Sequence, residues 1–199
     1  MKAKEHQSIR IFRNPLLERC THVHPLTPLI LWTPFIFFLL WQGLARNLII
    51  IEWIAVFLTG LLFWSLTEYL MHRFVFHFPA KSKAANYLVH LFHGLHHDDP
   101  NDPSRLVMPP VPAILMISTV YLLLYLWVPD RYFPVFMAAF LVGYLIYDYI
   151  HYATHHFSMK SKVGRFLKKH HFHHHFSNHS VKFGVSNPLW DYVFDTYKK

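Results

Sequence analysis

The 199-residue chain has one cysteine, Cys20, and only six glycines. A single thiol excludes an internal disulfide framework and a thiolate zinc site, so any metal chemistry must draw on nitrogen and oxygen ligands. No glycine-rich phosphate loop or dinucleotide fingerprint occurs, which argues against nucleotide chemistry of those types. Charged residues are scarce at 15%, and the acidic ones are the minority, giving a formal net charge of +8. No repeat of fixed period and no low-complexity linker divides the chain, so one unit is expected over residues 1–199.

What fills the chain instead is apolar, with 53% hydrophobic and 18% aromatic residues. These residues collect in runs near bilayer width and do not follow the amphipathic period of a soluble core. Four runs, at about 26–45, 48–70, 111–128 and 132–152, each approach the roughly 20 residues that a membrane helix needs. The first pair is joined by Arg46-Asn47 and the second by Pro129-Asp130-Arg131, predicting two helical hairpins whose tight loops share one side. The fold class expected is therefore all-α: an integral membrane protein of four spans, capped by a helical, histidine-rich domain built from residues 71–110 and 153–199. Residues 1–25 form a polar, basic segment that does not read as a cleavable signal, and Ile9 to Leu17 within it mixes apolar and basic residues suited to a membrane interface.

Every Lys and Arg except Arg46 and Arg131 falls outside the tight loops, and the positive-inside rule assigns those polar segments to the cytosol. A bacterial inner membrane and an endoplasmic reticulum membrane both satisfy this topology. Anionic lipid headgroups are the expected counter-charge, and no nucleic-acid module is recognisable.

All 18 histidines lie on the basic side or at span ends facing it. Four clusters stand out: His72 and His77; His93, His96 and His97; His151 and His155; and His171, His174 and His175. Residues at i, i+3 and i+4 share a helical face, so each triad is expected to converge on one point, as is the His151/His155 pair. His72 and His77 lie about 140° apart on an ideal α-helix, so the helix between them has to end or bend. Ten imidazoles exceed the roughly four to six ligands of one ion and suit two. Glu68 and Asp148 sit one helical turn before His72 and His151 and are candidates to orient those rings through the outer ring nitrogen. Surface histidine is the default for His6, His22 and His24, while His90, His156, His170, His173 and His179 flank the clusters as bystanders.

The motifs that carry these histidines resemble the fatty acid hydroxylase superfamily, most closely the fatty acid 2-hydroxylases. The resemblance covers about residues 63–197 and rests on the segment from Glu68 to His77, His-Gly-Leu-His-His ending at His97, Arg105 to Pro110, Tyr147 to His151, Leu167 to His171 and Phe183 to Phe194. It implies that the ten histidines hold a dimetal centre that inserts one oxygen atom beside an acyl carbonyl, the other leaving as water. His173 and His170 occupy places where the family's last box usually has other residues. Hydroxylating an unactivated methylene needs dioxygen and two electrons, which points to iron as the working metal, with zinc as a substitute in purified protein. No haem-binding His-Pro-Gly-Gly occurs, so a separate donor is expected: cytochrome b5-like, ferredoxin-like or a reductase. Asp98, Asp99, Asn101, Asp102 and Arg105, just after the second cluster, are candidates to meet the lipid head group.

Two alternatives follow from the same residues. One is another lipid-modifying outcome at a C–H bond, as in a sterol or carotenoid oxygenase or a desaturase. The other is a membrane metal transporter or store, which would want ionisable ligands along a path through the midplane. The histidines instead gather at one face, with Glu52 near the other.

Overall fold

The computed structural model describes residues 7–198, so His6 lies outside the described residues. Those residues are helical with no strand. A short helix α1 (Pro15–Arg19), capped by the Asn14 side chain, precedes two long ones, α2 (Thr27–Leu44) and α3 (Ile50–Met71). The chain runs from α3 directly into a π-helical turn at His72–Phe76. After a loop, α4 (Lys83–Val89) passes through a second π turn at His90–Gly94 into α5 (Leu95–Asp98). Then come α6 (Pro110–Tyr125), α7 (Phe133–His156), α8 (Lys162–Phe176) and α9 (Leu189–Val193).

The long helices are apolar on every face, the pattern of a helix buried in protein or in lipid. α7 is the buried one: from Phe133 to Leu145 almost every side chain is enclosed, packed against Trp32, Ile36 and Leu39 of α2, Trp64 of α3, and Ala113 and Ile117 of α6. α2 and α3 turn Phe37, Trp41, Leu58 and Leu62 outward instead. Three helical segments, Thr27–Leu44, Ile50–Phe76 and Phe133–His156, are long and apolar enough to cross a membrane. The expected third span is shorter than read: α6 stops at Tyr125, because the chain turns at Leu126 to Val128 ahead of Pro129, where helical backbone is disfavoured. The expected last span is longer than read and carries both His151 and His155 within α7.

The two tight loops lie side by side. Arg46 pairs with Asp130 at 2.5 Å and Arg131 with Glu52 at 2.9 Å, so each loop holds the other and both connections sit at one end of the bundle. All the histidine clusters are carried by the opposite ends of α3 and α7 and by the segments that follow them.

Close approach of α3 and α7 depends on small residues. A Cβ at Gly60 would lie 2.4 Å from the Phe136 carbonyl oxygen and 2.8 Å from Ala139 Cβ, and one at Gly143 would lie 2.7 Å from Trp64. Backbone cannot yield as a flexible side-chain tip can. Gly60→Leu is therefore expected to cost about 1–3 kcal/mol or more of stability, seen as a lower melting temperature in detergent. Leu58→Ala, at an outward-facing position, should leave that temperature nearly unchanged.

Candidate metal centre

Ten histidine side chains converge at the end of the bundle remote from the tight loops, in two groups of five. His72, His77, His93, His97 and His174 form one, and His96, His151, His155, His171 and His175 the other. Within each group one ring nitrogen per residue lies within 4.8 Å of all the others. That nitrogen is Nε2 wherever a close contact is made. In group one His72 is 3.1 Å from His93, His97 3.0 Å from His93, and His174 2.9 Å from His77. In group two His151 is 2.9 Å from His96, His96 3.1 Å from His175, and His155 2.8 Å from His171.

These spacings suit a cation. Nitrogens bound to one ion at roughly 2.0–2.1 Å lie about 3 Å apart when adjacent and about 4 Å apart when opposite. Without an ion, five lone pairs aimed at one point repel, and imidazole–imidazole hydrogen bonds cannot satisfy all of them at once. The donor set, all imidazole, is compatible with iron, zinc, copper or nickel. The groups are neighbours: the His97 and His175 rings stack at 4.1 Å between centroids.

The π turn explains the awkward spacing of His72 and His77. A π-helix closes its hydrogen bonds from i to i+5, and the His77 N–H donates to the His72 carbonyl at 3.2 Å. This winding brings residues five apart onto one face, so both rings reach group one. The triads behave otherwise than expected, because neither converges on a single point. Residues i and i+4 lie about 40° apart around a helix, whereas i+3 lies about 100° from i+4. Accordingly His93 and His97 stay together while His96 crosses to group two, and His171 and His175 stay together while His174 crosses to group one.

The bystanders sort clearly. His170 is buried with Nε2 3.1 Å from Asp191 Oδ2, His90 is exposed beside Asp98, and His24 accepts the Leu26 N–H. His156 and His173 belong to neither group. His179 is exposed, its ring 4.8 Å from that of His97, at the edge of group one.

Both acids expected to orient rings have other partners. Glu68 is buried and accepts the N–H groups of Val185 at 2.7 Å and Ser186 at 2.8 Å, together with the Ser186 hydroxyl. Asp148 is buried and accepts the Tyr144 hydroxyl at 3.4 Å. Among the described residues neither carboxylate bonds a cage imidazole. The ring-orienting acceptors are backbone carbonyls of the C-terminal tail: His72 Nδ1 donates to Phe183 O at 2.5 Å and His174 Nδ1 to Val181 O at 2.7 Å. These bonds place the proton on Nδ1 and leave the Nε2 lone pair inward. No sequence signal marks them, since any residue supplies a carbonyl.

The residues read as head-group candidates divide. Arg105, almost wholly buried, reaches Glu18 at 2.6 Å, His22 at 3.1 Å and the Ile9 carbonyl, so its donors are turned to the N-terminal segment. Asp102 accepts the Ser104 N–H and hydroxyl. Asp98 and Asn101 are exposed and Asp99 is half-buried.

The fatty acid hydroxylase family profile matches residues 57–196, a span that takes in all ten cage histidines. The chain belongs to the fatty acid hydroxylase family. It is 37% identical to the fatty acid 2-hydroxylase of Mus musculus over 212 residues, which cover 94% of this chain and 56% of that protein. It is 36% identical to a dihydroceramide fatty acyl 2-hydroxylase of Arabidopsis thaliana, with 83% and 70% covered. The solved structure of full-length scs7p, in which only the hydroxylase domain is visible, superposes with a TM-score of 0.90 at 34% identity, covering 96% of this chain and 73% of that one. The chain thus spans little more than half the length of its mouse relative.

Burial keeps the cage rings neutral. It pushes His77 down to about 4, with His179 adding to the effect, and His174 down to about 3, partly offset by the Val181 carbonyl. His93, His96, His97, His171 and His175 are lowered by burial and then by one another. An unfolded histidine takes up a proton below about 6.5, whereas these folded ones resist it until far lower, so the unfolded chain binds more protons and stability rises with pH. For the metal-free chain the melting temperature should hold above about pH 7 and fall as pH drops from about 6.5 toward 4. A flat profile across that window would contradict neutral burial. Metal content separates cage from bystander: His175→Ala should lose metal from one group, while His173→Ala retains the wild-type content, both read by elemental analysis of purified protein.

Proposed function

We propose that this chain is a membrane-embedded dimetal oxygenase that hydroxylates a lipid acyl chain at carbon 2. The convergence of ten Nε2 atoms in two groups carries this reading, supported by relatives named fatty acid 2-hydroxylase and dihydroceramide fatty acyl 2-hydroxylase. The overall change consumes one dioxygen, two electrons and two protons, replaces a C–H by C–OH, and releases one water.

His72, His77, His93, His97 and His174 hold one ion and His96, His151, His155, His171 and His175 the other. When bound, two redox-active ions, iron in the working enzyme, supply the capacity to reduce dioxygen next to a C–H bond. The protein's own part is to bind, orient and shield. Buried His72, His93 and His174 close the inner wall of group one, while half-buried His77 and His97 leave its outer side open. Phe74, Phe78, Leu88 and Phe92, close in sequence to His77 and His93, are exposed and line one apolar groove that suits an acyl chain held at the bilayer. Asp98, exposed at the end of α5, and Asn101, exposed on the loop that follows, are offered to the polar head group. Electrons come from a separate donor.

The membrane arrangement belongs to the same reading. Residues 1–199 act as one domain, α6 serves as a fourth, short span that completes the second hairpin, and the cage faces the cytosol. The basic residues outside the tight loops favour that orientation. At about 1.5 Å per residue α6 is about 24 Å long, so it crosses with the help of the turn that follows it or of local bilayer thinning.

The deciding experiment supplies the iron-loaded chain in membranes with a reductase system and a deuterium-labelled ceramide or free fatty acid. Mass spectrometry should find a product heavier by one oxygen, with loss of label confined to carbon 2, and His151→Ala should abolish it. Loss of label elsewhere, or a double bond, would point to a different outcome at the C–H bond. Metal flux across vesicles without oxygenated product would support a transporter.

A further inference from the structure

The C-terminal tail is held by two buried carboxylates that share out four consecutive backbone amides. Asp191, with no exposed surface, accepts Phe183 N–H at 2.8 Å through Oδ1 and Gly184 N–H at 2.9 Å through Oδ2. Glu68 accepts the next two, from Val185 and Ser186. Asp191 also accepts the Thr196 hydroxyl at 2.7 Å and faces His170 Nε2, while its own carbonyl accepts the Thr196 and Tyr197 N–H groups. Tyr69 donates to Thr196 Oγ1 and accepts from Arg73, linking this hub to the end of α3.

Between the two carbonyls that meet cage rings, those of Val181 and Phe183, lies Lys182, with φ of 59°. That left-handed conformation is uncommon for a residue with a side chain and persists only where its surroundings impose it. The Lys182 N–H donates to the Thr196 carbonyl at 2.9 Å, and the Asp191 carboxylate fixes the residue immediately after it. Gly184 is required beside this carboxylate, since a Cβ there would lie 2.1 Å from the Asn187 carbonyl oxygen.

Both braced rings, His72 and His174, belong to group one. Group two has no counterpart: among the described residues no protein group accepts from the outer nitrogens of its five rings, and His171 Nδ1 and His175 Nδ1 are buried without a partner, as is His97 Nδ1 in group one, which has two braced rings against none. A carbonyl on the outer nitrogen fixes the ligating tautomer, restrains the ring and raises its basicity.

We propose that Asp191 is a positioning residue for group one, holding the Val181 and Phe183 carbonyls against His174 and His72 so that this group binds its ion more tightly than group two. The inference rests on the reading that each group holds one ion. The test uses the full-length chain in detergent with zinc as probe and a chromophoric chelator as competitor. The His155→Ala/His175→Ala chain leaves group one intact, and the His77→Ala/His97→Ala chain leaves group two. Group one should bind zinc at least about tenfold more tightly, and Asp191→Asn should weaken it by about 10- to 100-fold while leaving group two unchanged. A merely structural role would lower the melting temperature and weaken both groups alike, which overturns the proposal, as does an unaltered group one. Should Asp191→Asn fail to fold, Thr196→Val removes one donor from the same carboxylate and should act in the same direction by less. Equal or reversed wild-type affinities overturn the proposal without any change at Asp191. Absence of zinc binding in both backgrounds removes the metal-cage reading itself.

Discussion

Ten imidazole nitrogens gathered into two groups, with closest approaches near 3 Å, form an arrangement that suits neutral rings and a cation at the centre of each group. Protonating one ring would place a cation among its neighbours and bury it out of water, two penalties with the same sign. The rest of the fold serves this constraint. α7 fills the centre of the bundle with apolar side chains and carries His151 and His155 near its end; α3 runs into the π turn that opens with His72; and α8 spans both groups from one helix. Apolar packing below the cage and the clasped tail above it together keep water from the inner nitrogens.

Much of this was legible in the residues. The apolar runs announced long helices, and helical spacing picked out the ten histidines that the structure brings together, whereas α2 and α3 pack chiefly on α7 and not on each other as the tight loops suggested. Spacing alone was less reliable about which rings meet. It placed His93, His96 and His97 on one face, but a face spans some 100° of arc, and two neighbouring centres divide it. Glu68 and Asp148 illustrate another limit. Their separation from His72 and His151 along a helix was right for contact, yet Glu68 bonds Val185 and Ser186, residues more than a hundred positions away. Long-range partners leave no trace in local periodicity. Nor do carbonyls, and so the braces at Phe183 and Val181 had no signature, although the tail that bears them was among the motifs of the family resemblance.

The N-terminal segment shows how a polar residue is diverted from one role to another. Arg105 reads as a head-group contact because it lies just after the second histidine cluster, where a polar side chain near the membrane surface could meet the substrate's polar head. In the fold its donors meet Glu18, His22 and the Ile9 carbonyl, and the Val23 N–H donates to the Ser104 carbonyl at 2.7 Å. The segment before α2 is thereby fastened to the loop before α6. Two parts of the chain that would otherwise be set independently by the membrane surface are held to each other by protein contacts.

The π turn at His72–Phe76 bears on how sequences of this kind are to be aligned. Such a turn is an α-helix that has taken in one residue and kept its flanks in phase. The number of residues between the two histidines is therefore not the quantity that geometry protects. A four-residue spacing in an uninterrupted α-helix would present the same pair of rings to the same point as the five-residue spacing does here. An alignment that penalises the gap would separate two chains whose nitrogens coincide, so the histidines are better matched by the face they occupy than by counting along the chain.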